Sequence, residues 1–118
     1  MLFTQTPAPP YYAVIFTSKR TNCEPKEYAA AAQQMENLAK DLDGFLGIES
    51  VRDEHGVGIT VSYWHSLAAI KEWKEHTAHQ RVQKKGKTDW YKSYTTRICK
   101  VERFYTSKDS LLEKEENG

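Results

Sequence analysis

Hydrophobic and polar residues recur along the chain in patterns that predict β-strands. The segment 11–18 is rich in aromatic and β-branched residues and carries no charge on either face, which is typical of a strand. A second strand is predicted at 45–53 and a third at 57–64, separated by a short polar turn with the glycine that a hairpin needs. The third strand alternates cleanly, with Val57, Ile59, Val61 and Tyr63 on one face and Gly58, Thr60, Ser62 and Trp64 on the other.

Apolar residues at spacings of three and four predict two helical regions. The first spans about 25–42, because a proline suits its first turn and a glycine follows its end. Its apolar stripe consists of Tyr28, Ala31, Met35, Leu38 and Leu42. Ser66 is a suitable N-cap for the second region. The polar part of that region, 76–87, is predicted to be kinked or broken from the first part and to end at Gly86.

A last strand is predicted at about 94–105, so the order of elements is β-α-β-β-α-β. This order predicts a ferredoxin-like α+β fold, with an antiparallel sheet and both helices on one face. Residues 1–10, with three prolines, are predicted to form an extended arm, 11–106 the folded domain, and 107–118 a charged mobile tail. The first strand is apolar on both faces, and the third carries Trp64 on its second face. Because helices cover only one face, we predict that two sheets pair face to face in a homodimer.

Composition and charge narrow the class of protein. The chain has 118 residues, 39% hydrophobic and 28% charged, which suits one globular domain, and its net charge of +1 argues against nucleic-acid binding. No segment approaches the ~20 apolar residues of a membrane span, and residues 1–10 do not resemble a signal peptide. Cys23 and Cys99 form no disulfide framework, and Cys99 is expected to be a buried hydrophobic residue. We therefore expect a reduced, cytoplasmic protein that binds neither nucleic acid nor membrane.

Candidate chemistry is concentrated in the second helical region. Trp73, His76 and His79 follow one another at spacings of three, which predicts that they share one helix face. An imidazole there is suited to act as a general base, with the indole packing against an aromatic substrate. The alternative is that Trp73 belongs to the core and both histidines are solvated. A zinc site with His65 or His55 is not expected, because paired cysteines and an HExxH motif are absent.

Aromatic residues near this region are candidates for the walls of a pocket that binds a flat ligand. They are Tyr63, Trp64, Trp90, Tyr91 and Tyr94. The alternative is that most of them form the core and the dimer interface, where tryptophan and tyrosine are common. Trp64 is the strongest candidate, because it ends the third strand beside the start of the second helical region. No glycine-rich dinucleotide motif supports flavin or nicotinamide binding.

A set of motifs extends over roughly residues 11–105. They are Gly44-Phe45-Leu46-Gly47, Glu49-Ser50, Gly58 to Trp64, Trp73 with His76 and His79, and Trp90-Tyr91-x-x-Tyr94-x-x-Arg97. Together they resemble the antibiotic-biosynthesis monooxygenase family. The resemblance implies a dimeric α+β barrel, in which two ferredoxin-like protomers pack sheet on sheet. That family includes quinone-forming monooxygenases that oxidise aromatic polyketides without metal or flavin, and also haem-degrading oxygenases.

The haem-degrading branch is matched only in part. Its members are similar in an asparagine on strand one, a tryptophan in the second helix, and a haem-ligating histidine ten residues later. Trp73 matches the tryptophan, but the first strand has no asparagine and the tenth position beyond Trp73 is Gln83, a poor iron ligand. A haem site would therefore need His76 or His79 as a ligand in a shifted position.

Three hypotheses follow for the function. The leading one is a homodimeric monooxygenase that acts on a small aromatic or quinone-type substrate without a cofactor, with His76 or His79 as the catalytic base. Its substrate-binding residues are predicted to be Trp64, Trp73, Tyr63, Trp90 and Tyr91. The second is a non-catalytic dimer of the same fold that binds a small ligand or serves in regulation or stress. The third is a haem-binding or haem-degrading protein with altered ligands.

Overall fold

The computed structural model describes residues 3–107, in which one antiparallel sheet is flanked by helices. In chain order the elements are β1 (Tyr11–Arg20), α1 (Pro25–Lys40), β2 (Phe45–Arg52), β3 (Val57–Trp64), α2 (Leu67–Glu75), α3 (Thr77–Lys85), a π-helical segment (Gly86–Trp90) and β4 (Tyr91–Val101). The strand order across the sheet is β2-β3-β1-β4. This confirms the predicted ferredoxin-like α+β fold. Most of the predicted tail, from residue 108 onward, lies outside the described residues.

The last strand begins and ends earlier than predicted. β4 starts at Tyr91 because this residue pairs with Arg20, across a register shift at the end of β1. The pairing lengthens β1 by two residues beyond its predicted end. It also makes Tyr91 part of the sheet, three residues before the predicted start of this strand at residue 94. The predicted limits of β3, by contrast, are confirmed.

The helices follow the predicted pattern, including the break in the second region. Ser66 caps α2, its hydroxyl accepting a hydrogen bond from the N–H of Ala69 at 3.0 Å. His76 has an extended backbone (φ −60°, ψ 129°), and it separates α2 from α3. α1 ends at Lys40, two residues before the predicted end, where the N–H of Asp41 bonds to the helix carbonyls behind it. No helix within residues 3–107 is long and apolar enough to cross a membrane.

One face of the sheet, called here the helix face, carries Tyr12, Val14 and Trp64. It is covered by helices, and Ala39 of α1 and Ile70 of α2 join Trp64 in a buried core cluster. The register of β1 against β3 places Tyr12 beside Trp64, so this core lies at the end of the sheet where β1 begins. The helices thus cover the face of β3 that ends in Trp64, and they leave its more apolar face uncovered.

That opposite face, called here the open face, carries an apolar surface at one end. Val51, Val57 and Ile59 lie there and are 77%, 44% and 49% exposed. An exposed apolar patch of this kind is typical of a surface that a partner covers. Cys99 pairs with Ala13 on the open face and is exposed, so the expectation that it is buried is wrong. β4 is an edge strand, and the part of the chain that the structure describes leaves Cys99 uncovered.

Candidate active site

Trp64 lies at the base of the candidate site, at the end of β3 on the helix face. Its ring is only 1% exposed and meets the ring of Phe45 edge-on at a centroid distance of 5.4 Å. The indole Nε1 donates a hydrogen bond of 2.9 Å to the hydroxyl of Ser62 on the same strand face. The polar atom of this buried indole is therefore satisfied. In this conformation Trp64 supports the residues above it, and it is too buried to form the surface of a pocket.

Above Trp64, two more rings complete a column of aromatic side chains. Trp73 lies on the inner side of α2, one turn after the buried Ile70, and its ring is close to parallel with that of Trp64 at 6.2 Å. His79 of α3 stacks on Trp73, with centroids 4.4 Å apart and planes tilted by 13°. We call these three residues, Trp64, Trp73 and His79, the tryptophan–histidine stack. It exists because the chain breaks at His76, so Trp73 and His79 do not share one continuous helix face as predicted.

A backbone hydrogen bond sets the tautomer of His79. Its Nδ1 lies 3.0 Å from the carbonyl oxygen of Trp73. A carbonyl oxygen only accepts hydrogen bonds, so Nδ1 carries the proton and donates it. In the neutral ring the lone pair is therefore on Nε2. Among residues 3–107 the structure gives Nε2 no hydrogen-bond partner, which leaves it able to accept a proton.

The surroundings of His79 favour its neutral form. Burial lowers the pKa of His79 below its ordinary value, because an apolar environment disfavours the charged imidazolium. The hydrogen bond to the carbonyl of Trp73 acts in the opposite direction and raises the pKa, while the nearby charge of His76 lowers it further. Burial is the largest effect. His79 is therefore a neutral, half-buried imidazole around neutral pH, which is the protonation state that a general base needs.

His76 occupies a different position from His79. Its ring lies 5.7 Å from that of Trp73, at the extended residue between the two helices. It borders a shallow surface depression of about 500 Å³ that is open to solvent and is lined by Ala68, Lys71, Glu72, Glu75 and His76. This depression lies along α2, and it includes none of the three residues of the stack. Its charged lining suits a polar contact better than a flat aromatic ring.

Tyr63 is not brought to the histidines. It lies on the open face, opposite to Trp64, where its hydroxyl donates a hydrogen bond of 2.6 Å to Glu49. Its ring packs edge-on against Tyr11 at 5.9 Å. Burial, and to a smaller extent the hydrogen bond to Glu49, raise the pKa of the Tyr63 phenol well above its ordinary value. The sheet thus separates Tyr63 from the tryptophan–histidine stack.

Trp90 and Tyr91 lie at the far end of the sheet. Tyr91 pairs with Arg20, whereas Trp64 pairs with Tyr12, and eight residues of β1 separate these positions by about 25 Å at roughly 3.3 Å per residue. Trp90 is buried, and its Nε1 donates a hydrogen bond to a carboxylate oxygen of Glu24 at 3.2 Å. The structure therefore brings the two histidines together with the two tryptophans of the stack, and it places Trp90 and Tyr91 elsewhere.

A cluster that the sequence analysis did not identify surrounds Trp90 and Tyr91. The phenol of Tyr91 donates a hydrogen bond of 3.0 Å to that of Tyr28, which also receives one of 3.3 Å from Arg52. Trp90 meets Tyr28 edge-on, and the guanidinium of Arg20 lies 3.7 Å above the ring of Tyr28. We call Tyr28, Trp90, Tyr91 and Arg52 the tyrosine cluster. The sequence indicated Trp90 and Tyr91 as aromatic candidates and Tyr28 as the first residue of the apolar stripe of α1, but it did not indicate that these residues meet one another and Arg52.

Arg52 of β2 is held in the tyrosine cluster by hydrogen bonds to β1, two strands away, and to the turn that follows β2. Its guanidinium donates hydrogen bonds to the hydroxyl of Ser18 at 2.8 Å and to the carbonyl of Gly56 at 2.6 Å. The guanidinium lies over Gly58, where an added Cβ would come within 2.7 Å of Arg52 Cζ. Ser18 is a buried polar residue. Its hydroxyl is satisfied by Arg52, so this end of the helix face is a closed network of hydrogen bonds.

Known proteins match this chain over most of its length. The family model described as "Antibiotic biosynthesis monooxygenase" matches residues 12–85, which include the whole tryptophan–histidine stack. The chain belongs to the antibiotic biosynthesis monooxygenase family. It is also 51% identical over 100 residues to "Uncharacterized protein YqjZ" of Bacillus subtilis (strain 168), a match that covers 85% of this chain and 87% of that protein.

Solved structures of other proteins share the fold of this antibiotic biosynthesis monooxygenase domain. SnoaB, described as a cofactor-independent oxygenase from Streptomyces nogalater, has a TM-score of 0.64 at 9% identity over 83% of this chain and 97% of that one. Rv0793 from Mycobacterium tuberculosis has a TM-score of 0.69 at 12% identity over 82% of this chain and 99% of that one. At such low identities these similarities establish the fold alone.

The residues present do not fit the haem site of the haem-degrading branch. Gln83, at the position where that branch has its histidine, is an exposed residue of α3. His79, the histidine of the stack, donates a hydrogen bond from Nδ1 to the carbonyl of Trp73, and its ring lies flat against the indole of Trp73. Residues 3–107 contain no group of three or more His, Cys, Asp or Glu side chains arranged to hold a metal ion.

Proposed function

We propose that this protein is a cytoplasmic, homodimeric monooxygenase that oxidises a small, electron-rich aromatic or quinone-type substrate with molecular oxygen and without a cofactor. The observation that carries the proposal is His79, a neutral, half-buried imidazole whose Nδ1 donates to the carbonyl of Trp73 and whose Nε2 is left as a proton acceptor. Membership of the monooxygenase family supports the reaction class.

In the proposed reaction, Nε2 of His79 removes a proton from a phenol or from an activated carbon of the substrate. The resulting anion is electron-rich enough to reduce molecular oxygen directly. One oxygen atom enters the product as a carbonyl, and the other leaves as water. An environment that keeps His79 neutral is what such a base requires, since a charged imidazolium has no lone pair to offer.

We assign the role of base to His79 and not to His76. His79 is stacked on Trp73, and this contact together with the hydrogen bond to the carbonyl of Trp73 holds the imidazole in one orientation. His76 instead borders a shallow depression whose other charged lining residues are Lys71, Glu72 and Glu75 of α2. Trp73 has Trp64 on one ring face and His79 on the other, so we propose that the edge of Trp73 borders the substrate while the buried Trp64 supports it from below.

The homodimer is supported by the open face. Val51, Val57 and Ile59 form an exposed apolar patch on the side of the sheet that the helices do not cover. Burying this patch against the same patch of a second copy would satisfy the two-fold symmetry that most homodimers have. We therefore propose that the second copy packs on the open face, while each copy keeps its own stack on the helix face.

Oxygen uptake with anthrone, in which a CH₂ group becomes a carbonyl, tests the proposed reaction. The full chain is expected to consume oxygen, and His79→Ala is expected to lower kcat by about 10²–10⁴-fold, the usual contribution of a general base. His55→Ala is the matched control, because His55 is exposed in the turn between β2 and β3. Equal losses in the two variants would contradict the role of His79.

The other hypotheses are outcomes of the same set of measurements. If no phenol, hydroquinone or anthrone of a broad panel is turned over, the protein is a ligand-binding dimer and the proposed activity is wrong. A Soret shift on titration with haem that disappears in His79→Ala or in a His76→Ala variant would favour haem binding instead. Sedimentation of the full chain as a monomer at micromolar concentration would contradict the homodimer.

A further inference from the structure

The N-terminal arm, residues 3–10, is docked on one end of the open face. The backbone N–H of Thr4 donates a hydrogen bond of 3.2 Å to one carboxylate oxygen of Glu49. The hydroxyl of Thr4 donates another, of 2.9 Å, to the carbonyl of Ile48 on the edge strand β2. The Cγ2 atom of Thr4 occupies the space that a Cβ atom on residue 47 would need. Gly47 has no side chain, so Thr4 is able to bind there, and we call this position the seat of the arm.

The surface that receives the arm is built from side chains of three strands. Glu49 uses its other carboxylate oxygen to accept the hydrogen bond from Tyr63. Tyr11 packs against Tyr63, and its hydroxyl shares a 2.8 Å hydrogen bond with that of Thr6 in the arm. Tyr11 is only 4% exposed, although it lies on the open face. The arm therefore covers the Tyr11 end of this face together with Phe104, whose ring meets that of Tyr11 at 6.2 Å, while the Val57 end stays exposed.

A docked arm limits where a second copy of the chain is able to pack. Stacked sheets lie about 10 Å apart, a space that the side chains of the two sheets fill. An extended segment lying on the sheet occupies this space at the Tyr11 end. A second sheet is therefore able to approach closely only over the patch of Val51, Val57 and Ile59.

We propose that the N-terminal arm is a strap that covers one end of the dimer interface and confines the second copy to the other end. When the arm leaves its seat, Tyr11 and Tyr63 join the exposed apolar surface, and the interface with the second copy grows. This inference rests on the proposed homodimer, since it concerns the size of the surface through which the two copies associate.

The test compares self-association of the full chain with that of a variant lacking residues 2–8. Sedimentation across a concentration series is expected to show a dimer dissociation constant about tenfold lower in the shortened variant, since the two rings add apolar area to the interface. An unchanged or higher dissociation constant would overturn the strap. If full chain and variant are both monomeric, the strap and the proposed homodimer are both wrong.

A point variant tests the docking contact in the full-length chain and guards against misfolding of the shortened one. Thr4→Ala removes the hydroxyl and the methyl group that fill the seat over Gly47, and it is expected to strengthen dimerisation by a smaller factor. Chymotryptic cleavage after Phe3, followed by intact mass, is expected to become faster in Thr4→Ala. Gln5→Ala is the matched control, because Gln5 is exposed and, within residues 3–107, its side chain donates a hydrogen bond only to the carbonyl of Phe3. Equal cleavage rates in the two variants would overturn the docking.

Discussion

The tryptophan–histidine stack and the tyrosine cluster lie at opposite ends of the helix face, and their polar atoms are used differently. In the tyrosine cluster the phenol of Tyr28 receives hydrogen bonds from both Tyr91 and Arg52. The indole N–H of Trp90 donates a hydrogen bond to the carboxylate of Glu24. In the stack, by contrast, Nε2 of His79 has no hydrogen-bond partner among residues 3–107, although the ring is half-buried.

This difference separates a structural cluster from a candidate site. Both clusters contain aromatic rings at contact distance. Judged by their aromatic residues alone, either cluster would be predicted to form a ligand-binding pocket. Burial of a polar group costs free energy unless the group is paired, so a hydrogen-bonded network such as the tyrosine cluster mainly stabilises the fold. Within residues 3–107 no buried side-chain nitrogen or oxygen lacks a hydrogen-bond partner, so Nε2 of His79 is reached by solvent and its lone pair stays available.

The largest effect is expected from removing the base of the stack. Trp64→Ala should lower the free energy of unfolding by about 3–5 kcal/mol, because it leaves a large cavity beneath Trp73 and beside Phe45. Urea denaturation measures this loss. Trp64→Phe, which keeps most of the apolar volume, is the control and should lose clearly less. A loss below about 1 kcal/mol in Trp64→Ala would show that this ring is not central to the core.

A smaller effect on stability, and none on the reaction, is expected from Arg52 of the tyrosine cluster. Arg52→Met should lower the free energy of unfolding by about 1–3 kcal/mol, because Ser18 is left buried without its partner. Oxygen uptake per folded molecule should stay the same, since Arg52 is remote from His79. A drop in kcat at unchanged folding would contradict the division between the two clusters.

The pH dependence of stability distinguishes the two clusters further. Folding lowers the pKa of His79, so below about 6.5, the ordinary value of histidine, the unfolded chain binds more protons than the folded one. The contribution of His79 to the free energy of unfolding should therefore be complete above that pH. It should be lost as the pH falls from there through the pKa of His79 in the folded protein. In His79→Gln this part of the slope should disappear, whereas Tyr91→Phe should keep it. Urea midpoints over this range provide the measurement.

The smallest effect is expected at the exposed rim of the tyrosine cluster. Lys85 forms ion pairs with Glu24 at 3.2 Å and with Asp89 at 2.6 Å, but all three side chains are partly exposed to solvent. Lys85→Met should shift the urea midpoint only slightly, and high salt should remove the difference from the parent. A salt-independent loss would indicate that the rim is more important to the cluster than its exposure suggests.

Local patterns predicted the elements well, because each depends on neighbouring residues. The limits of β3, the Ser66 cap and the break at His76 are confirmed. Alternation also places Tyr63 and Trp64 on opposite faces of β3, so a pocket containing both was inconsistent with the strand pattern. Local patterns did not predict that Tyr91 lies in β4. The start of this strand depends on the pairing of Tyr91 with Arg20, a residue remote in sequence.

The sequence by itself determined the order of strands and helices, the apolar character of both faces of β1, and membership of a monooxygenase-like fold. These follow from the periods of the helix and the strand, which a few adjacent residues specify. Only the tertiary structure decided that the helices cover the Trp64 face, that His79 returns to stack on Trp73, and that Trp90 and Tyr91 belong to a separate cluster. Such features arise from contacts between segments distant along the chain, and hydrophobic burial favours apolar contact in general without specifying which partners meet.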